Sequence, residues 1–212
     1  MQRISSSALV VTLASTPTWA GAQPVTAFDN LSPGGGYFTD ISWVVNGPDV
    51  EYAEERITHG MRFTAERSGR VERIDLAIGL ITGTNAARVQ LWTADENGLM
   101  GERLATWVVE GAVPEWGLNF EATPFESFGA GPSISAGSDY WIVPVATLDT
   151  DFGWYWTEDD TLTAPMVNIR PGGVRNYFTD RQGAARVVVP GPGGIGALGL
   201  CLAMTGRVRS RR

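Results

Sequence analysis

The sequence predicts an all-β chain: a single jelly-roll-like β-sandwich over residues 23–189, between an N-terminal signal peptide (1–22) and a C-terminal sorting tail (190–212) with a membrane helix. Three observations predict it. Short apolar runs alternate with clusters of Gly, Pro, Asn and Asp, and the 212 residues include 26 Gly and 12 Pro, residues that punctuate turns. Within the runs, apolar side chains recur at every second position, the period of a strand with one buried face. No helical pattern exceeds two turns; the acidic patch at 51–56 is the best candidate and it is short.

The elements follow in order. Strands are expected at 25–28, 41–45 and 61–65. The clearest runs from 71 to 80, with Ile74, Leu76, Ile78 and Leu80 on one face and Asp75 and Ala77 on the other. Residues 82–85 turn the chain, and 88–92 return it with Val89 and Leu91 inward. Asp95-Glu96-Asn97-Gly98 is a tight-turn signal, because Gly accepts the left-handed backbone that other residues resist. A strand at 104–110 follows. Ser135-Ala136-Gly137-Ser138 then leads into 139–143, an apolar run that reads as a central strand, and further strands are expected at 153–157, 166–169 and 185–189. About ten short strands without intervening helices make a sandwich within one domain.

Composition excludes much chemistry. All 16 cations are arginine, so there is no lysine Schiff base and no phosphate-binding lysine; one His and one Cys exclude a structural zinc site and an internal disulfide. A net charge of -7 argues against a nucleic-acid partner. Without its two ends the chain keeps 11 arginines against all 23 acids, an acidic body that repels anionic polymers unless a divalent cation bridges them. No cofactor and no metal are expected.

The ends carry addressing patterns. Arg3, the apolar stretch 8–14, Pro17 and the small residues Ala20 and Ala22 form a secretory signal that signal peptidase would cut before Gln23. At the other end, Val189, Pro190, Gly191 and Pro192 precede an uncharged apolar stretch containing Ile195, Leu198, Leu200, Leu202, Met204 and the lone Cys201. Arg207, Arg209, Arg211 and Arg212 follow, placed to stay cytoplasmic and stop transfer. The stretch 191–206 would reach roughly 24 Å as a helix against a hydrocarbon core of ~30 Å, so it suits a transient inner-membrane anchor better than a permanent one. This order of proline box, apolar segment and arginine cluster resembles the PEP-CTERM sorting signal of exported bacterial proteins, with Gly191 where the box usually has Glu. The resemblance implies an exosortase-like processing enzyme as a partner.

The body has a second resemblance. Phe28-Asp29-Asn30-Leu31, Trp43, Arg62-Phe63-Thr64, Ile74-Asp75-Leu76-Ala77-Ile78 and Val89-Gln90-Leu91-Trp92 resemble segments of the choice-of-anchor R domain, as do Asn97-Gly98-Leu99-Met100-Gly101 and 134–141. The resemblance implies a surface-displayed β-sandwich and no activity.

Candidate chemistry is sparse. His59 is the one conventional general base, but no Gly-x-Ser-x-Gly elbow accompanies it, and Thr58-His59-Gly60 reads as a strand-entry turn with a solvated or hydrogen-bonded imidazole. Glu158, Asp159 and Asp160 follow Trp154-Tyr155-Trp156, a pairing of acids and aromatic rings found in sugar sites. Trp154 and Trp156 share one strand face: a saccharide-stacking platform if that face is outside, core if it is inside, with core favoured. Asp95-Glu96-Asn97 and Asp149-Thr150-Asp151 offer oxygen ligands for calcium but read as plain turns. Tyr37-Phe38-Thr39-Asp40 recurs as Tyr177-Phe178-Thr179-Asp180, two copies that suggest equivalent edge strands. The expected function is a non-enzymatic envelope or extracellular-matrix protein, exported and sorted or anchored by its tail. A surface carbohydrate-binding module with an exopolysaccharide partner is the first alternative, and a secreted polysaccharide hydrolase the second.

Overall fold

A computed structural model describes residues 23–32, 36–50, 56–118, 121–127 and 131–191. The signal segment with Ala20 and Ala22, the tail from Pro192 through the arginine cluster, and most of the acidic patch (51–55) lie outside the described residues. The described chain is almost entirely β. Its strands are β1 (Pro24–Asp29), β2 (Ser42–Asn46), β3 (Thr58–Thr64), β4 (Gly69–Arg70), β5 (Arg73–Leu76), β6 (Ile78–Thr82), β7 (Ala86–Ala94), β8 (Met100–Glu110), β9 (Thr123–Glu126), β10 (Ser133–Ile134), β11 (Asp139–Ala146), β12 (Asp151–Tyr155), β13 (Thr163–Ile169), β14 (Arg175–Arg181) and β15 (Ala185–Pro190), with one 3-10 turn at Pro171–Gly173.

The strands form antiparallel sheets in the orders β14-β13-β3-β11-β7-β8, β1-β15-β5-β9, β2-β12-β6 and β10-β4. One hydrophobic cluster draws side chains from all four, among them Ala27, Val45, Met61, Ile74, Ile78, Leu91, Phe125, Ile134, Ile142, Trp154 and Val187. Burial of these apolar surfaces is the main force holding the sheets together.

The run at 139–143 is central as expected. β11 lies between β3 and β7, with Ile142 opposite Met61 and Leu91, and every residue from Tyr140 to Ala146 is buried. A strand covered on both faces loses the apolar–polar alternation, which is why this segment reads as a continuous apolar run. The Asp95 turn also forms: Asp95 Oδ1 accepts from the amides of Asn97 and Leu99, both at 2.9 Å, and Gly98 takes φ +75° to close the β7–β8 hairpin.

The expected strand at 71–80 is two strands in two sheets. β5 pairs with β15 and β9, β6 pairs with β12, and the chain crosses over at Ala77. There the Ala77 amide donates to Ala184 O at 3.1 Å, and the Ala77 carbonyl accepts from Tyr155 N at 2.8 Å. The return at 88–92 therefore does not pair with β6; β7 joins β11 and β8 in the six-stranded sheet. The Asp75 face is covered as well. Asp75 Oδ1 lies 2.8 Å from Arg73 Nε, and Arg186, which also contacts Asp29 at 2.8 Å, lies 3.9 Å away. Even beside these cations, burial pushes the Asp75 carboxyl above the usual range.

The tetrapeptide repeat does not yield equivalent strands. Tyr177–Asp180 lies in β14, an edge of the six-stranded sheet, whereas Tyr37–Asp40 belongs to no strand. Tyr37 is instead buried against Tyr155, ring centroids 5.3 Å apart, and Trp116 stacks on Tyr155 at 4.7 Å. Gly153 and Gly79 make room for this stack, since a Cβ at Gly153 would strike Trp116 and one at Gly79 would strike the Tyr155 hydroxyl.

Candidate functional site

The concave site lies on the face of the six-stranded sheet turned away from the main core. Alternation along β7 sends Val89 and Leu91 inward and leaves Gln90 and Trp92 on the opposite face. Along β11 the same rule puts Trp141, Val143 and Val145 on that outer face, where they form a second cluster with Met100 and Val167. At one end of this face a cleft of about 290 Å³ opens, floored by Val143, Val145 and Ile169 and walled by Thr58, Gln90 and Trp92. Its rim is Arg56, Arg170 and Arg175 with the turn Pro171–Gly173. Gly172 and Gly173 take φ +76° and +79°, so the turn that brings Arg170 and Arg175 to the same rim needs glycine.

Among the described residues no Asp, Glu, His, Cys or Ser lines this cleft, and Thr58 is the one hydroxyl that does. Arginine stays charged at any ordinary pH, so Arg56, Arg170 and Arg175 bring three cations to one mouth. Arg175 is positioned by its surroundings. Its Nη1 donates to Met100 O at 2.9 Å, and its guanidinium lies 5.3 Å from the Trp92 ring centroid, a cation–π contact. Arg103 lies 5.7 Å from the same ring, and Trp92 Nε1 donates to Gln90 Oε1 at 3.0 Å.

The residues singled out from sequence stand elsewhere. Trp154 is fully buried, and its Nε1 donates to Ala184 O at 3.0 Å, so it belongs to the core and offers no face to a saccharide. Only glycine fits opposite it, because a Cβ at Gly183 would strike the indole. Trp156 is half-buried, with Trp43 at 5.5 Å and the Arg181 guanidinium 4.8 Å from its ring. The stacking pair is thus reduced to one partly covered ring. Val189 is a core residue of β15, Pro190 pairs with Pro24, and the Gly191 amide donates to Gln23 O at 2.9 Å. Val189 and Pro190 of the proposed sorting box are therefore part of the folded sheet, and Gly191 is tied to the chain just beyond it.

His59 lies within β3 and is 7% exposed, neither a turn residue nor solvated. Its ring sits 4.8 Å from Trp43 and opposite Asn168 in register, and no described group hydrogen-bonds its Nδ1. Burial lowers its pKa from 6.5 to about 4, which keeps it neutral at pH 7. Glu158, Asp159 and Asp160 are exposed, and Asp159 Oδ1 accepts from the Thr161 amide and hydroxyl, which holds its carboxyl below the usual range. Among the described residues no group of three or more His, Cys, Asp or Glu side chains is placed to hold a metal ion. Of the proposed calcium segments, Asp95 holds its hairpin turn, whereas Asp149 and Thr150 lead into β12, which Asp151 begins; Thr150 bonds to Thr147 and to Thr84 O.

Sequence reasoning passed over the cleft. The alternation that places Val89 and Leu91 inward also places Trp92 outward, and that was the available signal. The arginines come from positions 56, 170 and 175, which only the β13–β3–β11–β7 order brings together.

No family model matches the chain, and no curated protein or solved structure matches it significantly.

Proposed function

We propose that the chain is an exported, non-enzymatic protein of the bacterial envelope or extracellular matrix that acts by binding. Its body is a single jelly-roll-like sandwich of the choice-of-anchor R type. Its tail is a PEP-CTERM-like signal that places it transiently in the inner membrane for an exosortase-like enzyme. The observation that supports binding over catalysis is the lining of the cleft, which among the described residues is three arginines and an apolar floor, with no carboxylate, imidazole or thiol to act as base or nucleophile. Support for the sandwich comes from the one cluster that collects side chains of every sheet. Support for export comes from the residue order at the two ends.

The test is the intact mass of the protein recovered from its own host, in membrane and extracellular fractions separately. A chain starting at Gln23 and ending shortly after Gly191 in the extracellular fraction is the expected result. A chain still starting at Met1, or ending at Arg212 only in membranes, overturns export or processing respectively. The carbohydrate-binding alternative keeps the half-exposed Trp156 beside Arg181 as its observation. The hydrolase alternative loses Asp159, whose carboxylate is occupied in its own turn.

A further inference from the structure

We propose that Gly191 is a clasp that ties the end of the body to its own N-terminal strand, and that the enzyme removing the tail cuts beyond it. This rests on the reading of the chain as exported and sorted by its tail, and it names where that processing falls. Strand β15 runs through the first half of the proline box. Val189 is fully buried opposite Val25, and a Cβ at Gly69 would strike its side chain. Pro190 pairs with Pro24. Gly191 is buried as well, and its amide donates to Gln23 O at 2.9 Å. Glycine stands there for want of space and not for a left-handed backbone, since a Cβ would strike that same Gln23 carbonyl oxygen. The glutamate usual at this place in the box is therefore excluded by the fold, because any side chain would push the chain off Gln23. An enzyme that takes its substrate as an extended strand needs the main-chain groups that β1 and Gln23 already hold. Residues 189–191 are thus withheld from such an enzyme while the sheet is closed, and what it can take begins after Gly191. Gln23 is also the residue that signal peptidase would leave first, so the two processed ends of the body meet at one hydrogen bond.

The test compares the wild type with Gly191→Ala and Gly191→Glu, each as the full chain in its own host. Ala adds only the Cβ, whereas Glu adds the Cβ and restores the acid of the usual box. Hydrogen exchange of the purified full chain reads the clasp: relative to its intrinsic rate, the amide at 191 is expected to exchange about fivefold or more faster in both variants, which lose its bond to Gln23. Intact mass in the extracellular fraction reads the cut. The wild type is expected to end at Gly191 or beyond, and both variants alike to gain cuts upstream of 191. A wild-type end at Val189 or Pro190 overturns the proposal, as does exchange at 191 unchanged in both variants. Variants cut only where the wild type is cut, despite faster exchange, overturn the claim that the closed sheet withholds these residues. More complete tail removal in Gly191→Glu than in Gly191→Ala shows that the enzyme reads position 191, and overturns it too. A wild-type chain found only with Arg212 at its end overturns the processing reading instead, and exchange at 191 then upholds or overturns the clasp by itself.

Discussion

The two faces of the six-stranded sheet are built from the same strands and end in different environments. The inward face, with Met61, Val89, Leu91, Ile142 and Met166 all fully buried, is closed by whole sheets packed against it. The outward face has an apolar layer of its own in Trp141, Val143, Val145 and Val167, but long side chains lie over it. Tyr177 packs edge-on against Trp141 at 5.6 Å, its hydroxyl accepts from Met100 N at 3.2 Å, and Arg62 reaches over to Gly98 O at 3.2 Å. A face closed by sheets is sealed, whereas a face closed by side chains leaves gaps at its margin, and the cleft is one such gap. The covering is thinnest where loops and long cations replace backbone.

If this contrast is right, truncation is most costly on the inward face. Ile142→Ala is expected to destabilise by about 2–5 kcal/mol, measured by urea unfolding, because sheets on either side of the core cannot collapse into the space. A loss no larger than that of an outward truncation such as Val145→Ala would break the comparison.

The inward face also holds the buried imidazole. His59 takes a proton near pH 6.5 when unfolded and near 4 when folded, so between those values the unfolded chain holds more protons. Stability contributed by neutral His59 is complete above pH 6.5 and falls as the pH drops toward 4, by about 3 kcal/mol in all. Asp75, its carboxyl raised by burial, works in the opposite direction as the pH falls through its folded value. Comparing the unfolding free energy of the wild type and His59→Gln at pH 7 and pH 4.5 isolates the histidine: the gap between the two pH values should shrink in the variant.

Many of the strands were open to inspection in the sequence, but most of their order in the sheets was not. The apolar run at 139–143 could only sit between two strands, and Asp95 to Gly98 could only be a turn. The break at Ala77 was hidden, because alanine keeps the apolar pattern while its backbone hydrogen-bonds to Ala184 and Tyr155 instead of to one sheet. The pair Trp154 and Trp156 was read correctly as core-leaning for the first ring; what alternation could not say is that the second stands at the margin, half-covered. The cleft was illegible for an electrostatic reason: net charge averages over the chain, and it concealed three arginines gathered at one mouth.

On the outward face, smaller effects are expected. Trp141 is fully buried, and no described group hydrogen-bonds its Nε1, so Trp141→Phe removes an unpaired donor along with some packing; these offset, leaving a change within about 1 kcal/mol in thermal unfolding. The smallest change belongs to the rim. Arg56→Gln should leave stability within about 0.5 kcal/mol in urea unfolding, since its side chain is exposed.

The placement of β15 has a consequence for when the protein can acquire its shape. This strand is inserted between β1 and β5, and the buried side chain of Asn30 fastens the end of β1 to Ala185, 155 residues later, and to Gln182 and Gly183. Among the described strands, β1 therefore has no neighbour to pair with in its sheet until almost the last of the body is present. A chain made from its N-terminus cannot complete this sheet until its final strand is present, so closure waits on contacts of high sequence separation and the final strand acts as the latch.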